Sequence, residues 1–389
     1  MRAIDRLESE RGAVFVQVGI AVFVLVAFNV FVLDYGMMWI ARRQAQNAAD
    51  AGALAGAVAR GYDDFDPTPS FSGTTARIAE AVAAANMVWN APATANVSSF
   101  DCPVGAPPGR CVRVDVYRDG SNGSTALPTI FGPILGVTSQ GVRATATGLS
   151  GNGNATNCLR PLALPDRWDE NLVVPTAPNE YNGFDASGTP LPNPDSYSAP
   201  GTTLTDFGLL IGLQLDRNPM TSPITRGFMV SLDLGGTYVD EIKHCSGQMT
   251  PIGGTIPVLT PVAGTTQAAM TTDADSLVSQ DPLATWDEST NRIVDSCAPN
   301  CAPISPLLIP VVLFDPADFQ QRRSSGNWGS CGGPCVKVSN IAGLYIHNNG
   351  ILPRPHGHLL RYPGFKVSSP ATPTYADNAS WLITTSLTR

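Results

Sequence analysis

The side chains through which this 389-residue chain could do chemistry are eight cysteines, four histidines and scattered aspartates. Cys297-x-x-x-Cys301 and Cys331-x-x-x-Cys335 have the spacing of zinc-ligand pairs and equally that of short disulfide loops. His356-Gly357-His358, with His347 just before it, could supply imidazoles to a metal. His244-Cys245 places a base beside a thiol, but catalytic pairs face each other in space and adjacent residues seldom do. Asp63, Asp64 and Asp66 cluster without the regular spacing and closing Glu of a calcium loop, so they read as a solvated turn. No Gly-x-Ser-x-Gly elbow, His-Glu-x-x-His helix or phosphate-binding Gly-Lys-Ser loop occurs. Two chemistries remain: disulfides, and a metal site at His356 and His358.

The compartment decides between them, and the compartment is set by the stretch that must position everything else. Ala13 to Leu33 is apolar apart from Gln17 and Asn29, and as a helix it covers about 30 Å, the thickness of a bilayer's hydrocarbon core. This is longer than a signal peptide's apolar region, and the first Ala-x-Ala match, Ala49-Asp50-Ala51, lies far beyond it. All eight cysteines follow this span: Cys102, Cys111, Cys158, Cys245, Cys297, Cys301, Cys331 and Cys335. Behind a membrane anchor they are expected to be oxidised. Cys102 and Cys111 would staple neighbouring strands, and Cys245 falls to Cys158 by elimination. Arginines flank both ends of the span, so orientation rests on size and cysteines. The expectation is a cytoplasmic head (1–12), a transmembrane helix (13–33) and an extracytoplasmic remainder. The net charge of -8 and the presence of only three lysines argue against a nucleic-acid partner.

Past Asp34 the chain stays free of proline to Arg60 and is rich in alanine. Ala41, Ala45, Ala49, Ala53 and Ala57 recur every four residues beside Gly52-x-x-x-Gly56, a face that lets another backbone approach closely. The expected use is packing on the chain's own next elements, with self-association through the stalk as the alternative. Thr74 and Thr75 are expected to cap a helix from Ala76 to about Asn90. Val112, Val114 and Val116 alternate with polar residues, as in a half-buried strand. Gln140 to Leu149 reads as a closing strand. Leu127 to Leu135 holds two prolines, so any helix there is short.

These residues carry a resemblance. Arg11-Gly12-Ala13-Val14, the apolar run, Asp34-Tyr35-Gly36 and Gln46-Asn47-Ala48-Ala49-Asp50-Ala51-Gly52 together resemble the N-terminal module of TadE/TadG-like proteins of the tight-adherence (Flp) type IV pilus assembly system. The segment Cys158–Trp168, CLRPLALPDRW, is similar to the opening of the C-terminal region in long TadG-like chains. The resemblance implies an inner-membrane protein whose partners are pilus subunits or other assembly proteins. It also implies a pilin-like unit, a long helix on a small sheet, over 34–150. Pseudopilins of this system are cut after a Gly and carry Glu at the fifth mature position. A cut between Gly12 and Ala13 would put Gln17 there, and Gln lacks the charge. That implies an anchored accessory protein, with a cleaved minor pilin as the alternative. The Asp-x-Ser-x-Ser metal signature of some longer members is absent.

Ser150–Asn154 marks a boundary, and beyond it short apolar runs alternate with turns: 203–215, 227–234, 255–262, 306–314, 335–346, 358–362 and 381–387. With 37 glycines and 33 prolines in the chain, this predicts a β-rich body over 151–389, either sandwich-like or a partly open barrel. Only Gln267–Gln280 hints at a helix there. The expected class is α+β: one transmembrane helix, a pilin-like unit and a β-rich domain. No enzyme and no cofactor is expected. The different-class alternative is a membrane-tethered metal-dependent enzyme at His356 and His358.

Overall fold

The computed structural model describes residues 2–64, 68–103, 108–171, 179–272, 274–300, 302–347, 355–368, 372–373, 375–376 and 378–388. The fold is α+β and divides into two compact units, Met1–Gly151 with Thr385–Arg389, and Asn152–Thr384.

The first unit is built on one helix, α1 (Arg2–Tyr62). Two different surfaces follow one another along it. From Val14 to Leu33 the large apolar side chains stand exposed, Phe15 at 81% and Phe23 at 69%. Leaving each such side chain in water costs about 1.5–3 kcal/mol. The helix is long and apolar enough to cross a membrane. Asn29, inside the run, donates to the Leu25 carbonyl one turn back at 2.8 Å, so its amide needs no outside partner.

From Ala41 the same helix becomes a core element. Ala41, Ala45, Ala49, Ala53 and Ala57 are all fully buried. Two elements close on this small-residue face. α2 (Thr74–Ala84) brings Ala76, Ala79 and Ala83, and the sheet brings β1 (Thr94–Ser99), β2 (Cys111–Arg118) and β3 (Val142–Asn152). The strands are antiparallel in the order β1–β2–β3. Val112, Val114 and Val116 point inward as their alternation predicts. The approach is backbone to backbone. A Cβ at Gly52 would lie 2.8 Å from the Ala79 carbonyl oxygen, and one at Gly148 would lie 2.1 Å from that of Ala53. The small-residue face is therefore filled by the chain's own α2 and sheet.

Local details differ from expectation. α2 ends at Ala84, and a two-residue hairpin follows, with positive φ at Trp89 and Asn90 as a type I′ turn requires. The N-cap of α2 is Gly73, and Thr75 instead donates to the Asp64 carboxylate at 2.7 Å. That carboxylate also meets Arg60 at 3.3 Å, so Asp64 is recruited into the structure. Asp66 lies outside the described residues.

The second unit is β-rich. Its main strands are β4 (Leu162–Pro165), β5 (Leu210–Gly212), β6 (Val230–Leu232), β7 (Thr255–Leu259), β8 (Leu308–Phe314), β9 (Cys335–Ile346) and β10 (His356–Leu360). They pair in the order β5–β10–β9–β7–β6–β4–β8, and β8 also pairs with β9. The β-rich expectation is met, and the pairing runs round a ring of β9, β7, β6, β4 and β8. Closure leaves the five ring strands without a free edge, while β5 and β10 extend from β9. Alternate residues feed two cores: Ile309, Val311 and Leu313 enter one, Val312 and Phe314 the other. In β9 the alternation changes sides. Val336 and Val338 join the second core, Ala342, Leu344 and Ile346 the first. A register shift explains this, because Leu313 pairs with Asn340 but Phe314 with Val338, leaving Ser339 as the extra residue of a bulge.

A helix absent from the sequence reading, α3 (Pro316–Ser325), follows β8. Asp315 caps it by accepting from the Asp318 N–H at 2.9 Å, Pro316 opens it, and Gly326 ends it at φ 68°. The expected helix near Gln267–Gln280 is present only as short turns, Thr265–Gln267, Ala268–Thr272 and Val278–Gln280.

Gly148→Ala tests the close helix–sheet contact. The new methyl meets backbone that cannot swing aside, and we expect a loss on the order of 1–3 kcal/mol. Thermal unfolding of the detergent-solubilised chain checks this; an unchanged midpoint would contradict the packing.

Candidate functional site

The residues singled out in the sequence gather mostly along α1, where its exposed apolar part gives way to its buried part. Asp34 is the first acidic residue past the apolar run. Its carboxylate accepts the backbone N–H groups of Ile130 at 2.9 Å, Gly132 at 2.8 Å and Phe131 at 3.3 Å. Gln140 donates to the Asp34 carbonyl at 3.2 Å. Asp34 therefore ties down a hairpin in which Leu127–Pro128 pairs with Ser139–Gln140 around a short 3-10 turn, Gly132–Leu135. Tyr35 stacks on Phe31 at 5.5 Å and meets Trp39 edge-on at 6.4 Å, one aromatic column along the helix. Aromatic side chains of this kind suit the boundary between lipid and water. A Cβ at Gly36 would meet nothing within 4 Å, so packing in this chain does not explain that glycine.

In the next turns Gln46 bonds to Asp50 at 2.8 Å and to the Thr145 carbonyl of β3 at 3.2 Å. Ala48 and Ala49 lie in the core, and Asn47 is exposed. Gly12 and Gln17 are exposed on α1; the side chain of Ala13 lies outside the described residues. The turn Asp119–Ser124 holds Arg143 beside Asp119, and the Ser121 hydroxyl with that guanidinium brings the Asp119 carboxyl to about 2.

The cysteines are placed as disulfides. Cys102 bonds Cys111, Cys158 bonds Cys245, and Cys331 bonds Cys335. Cys297 is also disulfide-bonded, and Cys301 lies outside the described residues. Among the described residues no cysteine is free, so Cys245 offers no thiol to its neighbour His244.

Three histidines do come together in the second unit. The His347 ring centroid lies 4.8 Å from that of His358 and 5.8 Å from that of His356. His358 stacks on Trp286 at 4.2 Å, its Nδ1 is 2.7 Å from the Gly208 carbonyl oxygen, and its Nε2 is 3.6 Å from Glu288. Among the described residues no group of three or more His, Cys, Asp or Glu is disposed to hold a metal. Burial lowers the His358 pKa, so the neutral ring is the form this site accommodates.

The segment Cys158–Trp168 turns out to be the spine of the second unit. Cys158 carries a disulfide, Leu159 is buried, and Leu162–Pro165 is β4. Arg160 is buried, which pushes its guanidinium down to about 10. Asp166 has no exposure, yet every demand of its carboxylate is met. It accepts backbone N–H from Arg167 at 2.9 Å, Gly201 at 2.9 Å and Thr202 at 2.6 Å, and hydroxyls from Tyr197 at 2.9 Å and Ser339 at 2.5 Å. Trp168 is buried edge-on to Tyr181 at 5.6 Å. The sequence offered Asp166 only as part of the segment Cys158–Trp168 and gave no sign of Tyr197 or Ser339, because the partners lie far apart along the chain. Ser339 also lines a cleft of about 430 Å³ with Lys337, Asp315 and Tyr375. Its hydroxyl is committed to Asp166, which makes the cluster a structural tie.

His358 yields a pH dependence. Its folded pKa lies below the unfolded value of about 6.5, so its contribution is complete above that pH and is lost as pH falls through the folded value. We expect the unfolding free energy of the full chain to fall between pH 7.5 and pH 5, with a slope of at most about 1.4 kcal/mol per pH unit from this one proton. The fall should be smaller in His358→Gln; equal falls in both chains would contradict the assignment.

No curated protein and no solved structure matches the chain. Over residues 12–59, the helix that joins the exposed apolar run to the alanine core, the chain matches the family described as putative Flp pilus-assembly TadE/G-like.

Proposed function

We propose that the chain is a membrane-anchored component of Flp pilus assembly that works through protein–protein contacts outside the membrane and catalyses no reaction. The observation that carries this reading is where the family match falls. It covers one continuous helix that is exposed and apolar in its first part and buried in alanine packing in its second. Such a helix suits an anchor that holds a folded body at a membrane. In this reading α1 spans the inner membrane with its start in the cytoplasm, and the rest of the first unit and the second unit lie outside. The disulfides support that placement, since such bonds persist in oxidising compartments. The chain stays uncut at Gly12, because Gln17 cannot supply the charge that a polymerising subunit places at that point.

Cells lacking the chain are expected to lose surface pili, and re-expression of the full chain to restore them. Undiminished piliation without it would overturn the role in assembly. A bound zinc equivalent, lost in His356→Ala and His358→Ala, would overturn the non-enzymatic part. An N-terminus at Ala13, read by mass spectrometry, would overturn the uncut anchor.

A further inference from the structure

The hairpin tied to Asp34 is unusually apolar for an element outside the core. Residues 120–142 contain no charged side chain, and positions 129–137 read TIFGPILGV. Leu127, at its foot, belongs to the alanine core. At its tip, Ile130 is 60% exposed and Val137 is 51% exposed.

The place where this tip is held is defined by Asp34. A helical side chain leans toward the N-terminus of its helix. The Asp34 carboxylate, and the three N–H groups it binds, therefore lie at the level where the apolar run 13–33 ends, or on its apolar side. Tyr35 and Trp39 stand exposed beside this level, and Arg42 follows within a turn, exposed and with no partner among the described residues. Apolar, then aromatic, then cationic is the order met on leaving a bilayer.

The backbone of the tip also suits a layer poor in water, where unpaired polar groups are costly. Beyond the three donors given to Asp34, the Val137 N–H bonds the Gly132 carbonyl at 2.9 Å and the Gly136 N–H bonds that of Pro133 at 3.1 Å. Thr129 Oγ1 donates to the Val137 carbonyl at 2.6 Å. Pro133 has no N–H to satisfy. Gly132 permits the fold of the tip, since a Cβ there would lie 2.3 Å from the Val137 carbonyl oxygen.

We infer that the tip of this hairpin is a second membrane contact: Ile130 and Val137 enter the interfacial layer of the same bilayer that α1 spans, with Asp34 as the tether. A lone helix can rotate about its axis and slide in depth; a contact off that axis fixes both for the first unit. The inference rests on the reading of α1 as a membrane span.

The test uses the full chain with Ile130→Cys carrying an environment-sensitive fluorophore, in phosphatidylcholine–phosphatidylglycerol vesicles containing a lipid with a shallow nitroxide quencher. Phe23→Cys reports the span and Ser98→Cys, exposed on β1, reports water. The label at 130 should be quenched several-fold more than that at 98, with blue-shifted emission. Adding Asp34→Ala should bring quenching at 130 toward that at 98 and leave 23 unchanged. Water-like behaviour at 130 with quenching at 23 would overturn the second contact alone. Absence of quenching at 23 would overturn the span and this inference with it. Full quenching at 130 in the Asp34→Ala chain would overturn the tether.

Discussion

One helix carries two different surfaces, and the first unit is arranged around the change from one to the other. From Val14 to Leu33 the surface of α1 is made largely of side chains that water penalises. From Ala41 the same helix carries side chains so small that other backbones come within contact distance. Neither surface would serve in the other's place. Alanine buries too little area to hold a span in lipid, and a phenylalanine at Ala53 would push the sheet away. Asp34 stands at the change and has a part in both: it ends the apolar run and fastens a hairpin by three backbone bonds.

The second unit relies on a different device. Apart from β8 and β9 its strands are short, and ring closure supplies what length does not. Because both faces of β8 and β9 are buried, the alternation of side chains feeds two cores at once. The bulge at Ser339 exchanges the two faces within β9 and turns a hydroxyl toward Asp166. A carboxylate buried without a cation is tolerable only when it is fully bonded, and three N–H groups with two hydroxyls meet that condition. The cluster thus ties β4, β9 and the loop before Thr202 at one point.

Much of the first unit was legible because composition changes along α1 and because Val112, Val114 and Val116 alternate with polar residues. The spacing of Gly52 and Gly56 announced close packing, and the structure names α2 and β2 as what packs there. Other features were hidden for physical reasons. β4 reads LALP, buried on both faces, so it has no alternation to detect. α3 buries little apolar surface beyond Phe319 and shows no helical stripe, although Asp315, Pro316 and Gly326 carried its start and stop signals. Thr75 looked like a cap, but a nearby carboxylate drew its hydroxyl away. Asp34 was visible as a motif residue, while its partners, about a hundred residues later, were not. His356 and His358 were legible as a pair; the orientation of the His358 ring depends on Trp286 and Gly208, which the spacing does not reveal.

The central claim is that the run long and apolar enough to cross a membrane and the domain core are one unbroken helix. Amide hydrogen exchange across residues 25–50 of the full chain in lipid nanodiscs tests it directly. We predict continuous protection through Asp34, Tyr35 and Gly36 into the alanine-rich turns. A fast-exchanging break at those residues, with protected segments on either side, would contradict the account.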